Sequence, residues 1–173
     1  MNTIETLMTR RSCRDFSPKM PDEQTVCEIL KAGSYAATGM NRQSPIIVCV
    51  TNRHTRDWLS HLNADILGKA DFDPFYGAPV ILIVLADKNV PTHVYDGSLV
   101  MGNLMNAAHE KGLASCWIHR AKEEFETTEG KEFLRSLGIE GDYEGIGHCA
   151  LGYASGDPAP ASPRKENYIY FAR

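Results

Sequence analysis

The eight residues PVILIVLA, Pro79 to Ala86, are apolar throughout. A strand with one face in water alternates apolar and polar side chains, whereas a strand covered on both faces reads as an unbroken hydrophobic run. Such a run is far too short to cross a bilayer, which takes about 20 residues of helix. It is therefore the central strand of a sheet with material packed on both faces, and its neighbours in the chain must supply those layers.

On either side the pattern supplies more strands. PIIVCV, Pro45 to Val50, is rich in β-branched residues; ASCWI, Ala114 to Ile118, and GIGHCALGYA, Gly145 to Ala154, read the same way. Between them the spacing turns helical. HTRDWLSHLNADILG carries Trp58, Leu62 and Ile66 at helical intervals. A long helix from about Asp96 to Lys111 sets Leu99, Val100, Asn103, Leu104, Ala107 and Ala108 on or near its buried side, with Gly112 as terminator. TTEGKEFLRSLGI is a further helix capped by Thr127 or Thr128. Before the first strand lie two more helices. One opens with a capping box, Asn2 and Glu5, and gathers Ile4, Leu7 and Met8 on one face. The other starts at Pro21, Asp22 and Glu23 and packs through Val26, Ile29, Leu30 and Gly33. Strands separated by helices imply an α/β or α+β layer structure around one sheet. After the Pro-rich DPAPASP, the stretch ENYIYFA is expected to form a short terminal strand. Its Tyr168, Ile169, Tyr170 and Phe171 need an apolar home, either in their own sheet or at the edge of a partner's; exchange with a partner is the reading adopted.

The chain has 173 residues, enough for one domain over residues 1–173 and too few for two comfortable ones. With 43% apolar and 23% charged residues it has the composition of a soluble globular protein. A net charge of -4 gives no general reason to bind nucleic acid or an anionic membrane, so any anion site must be a local concentration of positive charge. Five scattered cysteines, Cys13, Cys27, Cys49, Cys116 and Cys149, show no CxxC spacing and suit a reducing compartment rather than a disulfide or metal site. Charged residues precede any long apolar run, so a cytoplasmic protein with no bound metal is expected.

Four stretches could carry chemistry. In RRSCRDF, Arg10, Ser12 and Arg14 project to one side if the segment is extended, and guanidinium forks with a hydroxyl can hold phosphate oxygens; Arg11 lies beside them. The plain alternative is a solvated turn. In ATGMNRQSP, the amides of Asn41 and Gln43 and the hydroxyl of Thr38 either cap a turn or meet the edge of a heteroaromatic ring. In CWIHRAKEEF, His119 and Arg120 follow a strand end, where ligands often sit and where a plain surface histidine is equally at home. In SPRKENY, Arg164 and Lys165 are a soluble tail, or, if the tail returns beside the first helix, part of a phosphate clamp. GxGxxG, the P-loop and HExxH are absent, and no nucleophile elbow is present. The residues alone describe a site for a phosphorylated ring, with the reaction left open and no catalytic side chain singled out.

In this order, RRSCRDF, TGMNRQSP, DGSLVMGNLMNAAHEKGLASCWI, TTEGKEFLRSLGI, LGYA and PRK resemble the nitroreductase family over nearly the whole chain, the short single-domain members in particular. The resemblance implies a three-layer α+β fold with a central, mostly antiparallel sheet flanked by helices, and a homodimer that exchanges its C-terminal strand. It implies FMN bound at the dimer interface, with Arg10 and Ser12 on the phosphate, helped by Arg164 and Lys165. Arg14 would approach the ribityl chain and the pyrimidine side of the ring. Thr38, Asn41 and Gln43 would come from the other subunit, and backbone NH groups of Ile118, His119 and Arg120 would face the middle of the ring. The implied activity is an NAD(P)H-dependent FMN oxidoreductase that reduces nitroaromatics, quinones or similar conjugated acceptors by a ping-pong mechanism. The alternative from another class is a non-catalytic flavin-binding or storage protein. The family's turn often has proline and serine where this chain has Ala37 and Thr38; threonine keeps the hydroxyl. The chain lacks the longer lid of larger members.

Overall fold

The computed structural model describes residues 2–173. In chain order the elements are α1 (Thr3–Thr9), α2 (Glu23–Ser34), β1 (Pro45–Val50), α3 (Arg53–Leu67), β2 (Val80–Asp87), α4 (His93–Glu110), β3 (Ala114–Ile118), α5 (Ala121–Glu126), α6 (Thr128–Ser136) and β4 (Tyr143–Gly152). The strands form one sheet in the order β1-β2-β4-β3, and every neighbouring pair is antiparallel.

The apolar run of β2 works as expected, and its period of two explains how. Ile81, Ile83 and Leu85 enter one core with Leu59, Phe75, Phe125 and Leu134, under α3, α5 and α6. Val80, Leu82 and Val84 enter another with Val26, Ile29, Val100, Met101 and Leu104, under α2 and α4. The result is the expected α+β fold, a mainly antiparallel sheet between helical layers. Among the described residues, no helix is long and apolar enough to cross a membrane.

Local signals set the helix ends. The Asn2 side chain accepts from Glu5 N at 2.9 Å and Asn2 N donates to Glu5 at 3.4 Å, the reciprocal pair expected of a capping box. Thr127 caps α6 by accepting from Gly130 N at 3.0 Å. Gly112 follows α4 at φ 73°, a left-handed conformation natural to glycine.

Two expectations need correction, the inward place of Leu99 and the terminal strand, and on α1 and α3 the buried face differs from the apolar one. The buried stripe of α3 is Arg56, Leu59, Ser60, Asn63 and Ala64, while Trp58, Leu62 and Ile66 are half-buried; polar side chains take the inward face because they have buried partners. Leu99 is 51% exposed, because α4 turns Asp96, Gly97, Val100 and Met101 inward instead. Ile4, Leu7 and Met8 share a face of α1 as read, but that face is open to solvent and Thr6 is the residue buried there. Residues Glu166 to Ala172 form no strand: beyond the Pro-rich connection the chain pairs with no strand of its own sheet, and Tyr168, Ile169, Tyr170 and Phe171 are 66–80% exposed. The short helix α5 had no distinct sequence signal. It seats against β4 at Gly145, where a Cβ would run into the Ala121 carbonyl.

Candidate functional site

β3 is an edge strand, and the RRSCRDF segment runs along its start. Cys13 N donates to Ser115 O at 3.0 Å, Ser12 bridges Ser115 in parallel sense, and Phe16 bridges Ala154 beyond β4. The segment is thus extended, as the one-sided projection of Arg10, Ser12 and Arg14 requires. These three residues, with Arg11, border a cleft of about 570 Å³ whose far walls are His109, Gly112 to Ser115 and the stretch Gly156 to Ala159. Arg10 Nη1 is buried and has no hydrogen-bond partner among the described residues. A buried donor left unmet is costly, so a partner oxygen at this point would be well rewarded. Arg11 differs: its Nη1 donates to Met8 O at 2.9 Å and to Arg10 O at 2.7 Å, closing the end of α1.

Cys116 lies behind this seat. Burial pushes its thiol up, with Arg14, Ser12 and Arg10 nearby pulling the other way and losing. A thiol held protonated makes no nucleophile, which agrees with the lack of a hydrolase signature.

The ATGMNRQSP turn is tied to the start of α4. Asp96 is buried and accepts from Gly39 N at 2.9 Å, Ser44 Oγ at 2.9 Å and Thr92 Oγ1 at 3.0 Å. Burial would raise this carboxyl, but those three donors outweigh it and hold it below its ordinary value. Within the turn, Gln43 N donates to Thr38 Oγ1 at 3.1 Å and Gln43 Nε2 to Asn41 Oδ1 at 3.3 Å. Met40, Asn41 and Gln43 all have positive φ, near 50°. Such a run of left-handed residues costs on the order of 1–3 kcal/mol at each position and persists where the surroundings impose it. Asp96 and Ser44 supply that constraint, and neither stood out in the sequence.

At the far end of β3, Ile118 is buried while His119 is exposed. Arg120 caps α5 at φ 78°, and its Nε donates to Asn63 Oδ1 at 2.9 Å. Trp117, His119, Arg120, Lys122 and Glu144 border a second cleft of about 620 Å³. Arg164 and Lys165 border neither cleft. Arg164 Nη2 donates to Ser162 O at 2.8 Å, and Lys165 Nζ stands 5.4 Å over the Tyr168 ring.

The seat and the turn sit at opposite ends of α4. Asp96 and His109 are 13 residues apart by their numbers, which at 1.5 Å per residue is roughly 20 Å. One chain therefore keeps the arginine cleft and the amide-bearing turn apart. Among the described residues, no group of three or more His, Cys, Asp or Glu could hold a metal ion.

The model of the Nitroreductase family matches residues 7–153. The chain belongs to the nitroreductase family. Among solved structures, this nitroreductase-family chain is similar to a nitroreductase with bound FMN from Bacteroides fragilis, with 26% identity, full coverage of both chains and a TM-score of 0.91. It is also similar to a nitroreductase with bound FMN from Desulfitobacterium hafniense, at 25% identity over 99% of this chain and 100% of that one, with a TM-score of 0.87. A curated protein of Methanothermobacter thermautotrophicus, provisionally assigned as an NADH dehydrogenase/NAD(P)H nitroreductase, is 25% identical over 126 residues. That match takes in 68% of this chain and 60% of the relative, so the chain spans about three fifths of that protein's length.

Proposed function

We propose that residues 1–173 form one flavin-binding unit that works as an FMN-dependent oxidoreductase, taking reducing equivalents from NAD(P)H and passing them to nitroaromatic, quinone or similar conjugated acceptors. The observation that carries this is the buried, unpartnered Nη1 of Arg10 at the wall of a cleft that also presents Ser12 and Arg14. That donor set fits a phosphate monoester, and the bound FMN of two similar structures is a molecule of that kind. Bound there, FMN would supply the redox chemistry, accepting electrons from the nicotinamide before the second substrate takes its place.

The chain's own residues bind and orient. Arg10 and Ser12 would hold the phosphate and Arg14 would put positive charge toward the ribityl chain and the pyrimidine side. The backbone NH groups of Ile118, His119 and Arg120, further along the same edge strand, would face the middle of the ring. His119 and Arg120 side chains would then border the substrate side. No acidic or basic side chain is required at the reacting atoms, since solvent can supply the proton.

The cleft and the turn at the two ends of α4 support a homodimer in which Thr38, Asn41 and Gln43 of one copy face the arginine seat of the other. So do the exposed Ile4, Leu7 and Met8 on α1 and Val94, Tyr95 and Leu99 on α4, apolar surface that a lone chain leaves in water. The tail beyond Ala159 would reach the other copy, bringing Arg164 and Lys165 to a phosphate and burying Tyr168 to Phe171.

Adding FMN to the purified protein and then NADH or NADPH under anaerobic conditions tests the reading. The bound flavin should bleach, and its colour should return when a quinone is added. Tight FMN binding with no bleaching by either nicotinamide would instead indicate the storage protein.

A further inference from the structure

Three polar side chains sit fully buried in the core beneath α5, each 0% exposed: Asn63 on α3, Glu124 on α5 and His148 in the middle of β4. They are joined. His148 Nε2 stands 2.8 Å from Glu124 Oε2, close but off the line of an aligned hydrogen bond. Asn63 Nδ2 donates to the other carboxylate oxygen, Glu124 Oε1. The phenyl rings of Phe75 and Phe125 pack against the His148 imidazole. Apolar side chains would fill this volume at lower desolvation cost, so a polar cluster here calls for a role beyond filling space.

What the cluster grips is the turn after β3. Asn63 Nδ2 also donates to His119 O at 2.9 Å, and Asn63 Oδ1 accepts from Arg120 Nε at 2.9 Å. Glu124 N donates to Arg120 O at 2.9 Å. Ile118 is directly paired with His148 across the sheet. The turn is therefore held from behind by α3, α5 and β4 together, at the residue where Arg120 takes a φ of 78° that a non-glycine side chain disfavours.

We propose that Asn63, Glu124 and His148 are positioning residues that lock the Ile118 to Arg120 turn, fixing the direction of the backbone NH groups offered to the flavin. The second half of this statement rests on the flavin reading above; the first half does not. Asn63 is the joint, because its side chain bonds both the turn and the Glu124 carboxylate.

Hydrogen–deuterium exchange on the apo protein tests the lock without any cofactor. In Asn63→Ala, amides of His119 to Ala121 should exchange at least roughly ten times faster than in the wild type, while those of β2 keep their rate. In the FMN-loaded protein the same variant should lower the flavin midpoint potential, because misaligned NH donors stabilise the reduced ring less. Glu124→Gln keeps an acceptor for Asn63 and should shift both readouts less than Asn63→Ala. Unchanged exchange at the turn in Asn63→Ala would overturn the proposal, as would acceleration spread equally over β2. If Asn63→Ala does not fold, the Glu124→Gln exchange pattern decides, with localised acceleration at the turn supporting the lock and none refuting it. A wild-type chain that binds no FMN would sink the flavin reading, yet the apo exchange comparison would still decide the lock.

Discussion

Ser44 Oγ donates to Asp96 Oδ2 at 2.9 Å, both residues buried, and this contact ties the amide-bearing turn to the first residues of α4. With the bond from Gly39 N to the other oxygen of Asp96, it anchors the turn to that helix at two points. The turn's stability should follow the charge on Asp96. The carboxyl is held below its ordinary value, since the donors from Gly39, Ser44 and Thr92 outweigh the upward push of burial. Its contribution is therefore complete above the unfolded value of about 3.9. It is lost as pH falls through the lower folded value. Asp96→Asn should reduce the urea midpoint at pH 7 and flatten the fall that the wild type shows on acidification below pH about 4. Parallel acid curves for the two proteins would contradict this.

Arg10→Ala should weaken FMN binding roughly ten- to hundred-fold, the usual range for removing a hydrogen bond to a charged group. A fluorescence titration measures it. Affinity within twofold of the wild type would remove Arg10 from the phosphate seat. Inorganic phosphate should raise the melting temperature of the wild-type apo protein and leave that of the variant alone.

Arg56 belongs to structure rather than to the site. Its Nη2 meets Asp73 Oδ2 at 2.5 Å and its Nε donates to Ala78 O at 3.0 Å, just before β2. Arg56→Ala should cost about 2 kcal/mol of stability, given that Asp73 is partly solvated. Urea unfolding would show it. FMN affinity should be unaffected.

Deleting residues 160–173 removes side chains that touch little of their own chain. The shortened protein should keep its circular dichroism spectrum and melt within a few degrees of the full chain. It should sediment as a smaller species and bind FMN more weakly. A truncated chain that still dimerises and binds flavin normally would show that the tail has no part in the site.

The layers were legible because hydrophobic periodicity reports burial: PVILIVLA announced a strand with two covered faces, and the capping signals at Asn2 and Thr127 placed helix ends closely. Of the candidate site, the arginine and serine of RRSCRDF were readable as a seat because their spacing matches an extended strand. Asp96, Asn63, Glu124 and His148 were not, since nothing in a local window tells a buried polar residue from a solvated one. A signal did exist on α3, where Arg56, Ser60 and Asn63 recur at helical spacing and form a polar stripe beside the apolar one. The terminal aromatic run was read as a strand from its composition alone, but a strand needs a neighbour to bond with, and the single chain provides none.

The alternation along β2 makes one ribbon of backbone the common wall of two interiors. Peeling away the helices of either side would wet half of that wall and strip support from the other, so neither interior can open while its twin stays shut. The arginine segment hangs on the margin of this slab, bonded to β3 through Ser115, while the turn after β3 is held from behind by α3, α5 and β4. A scaffold of this kind should melt as a single cooperative unit.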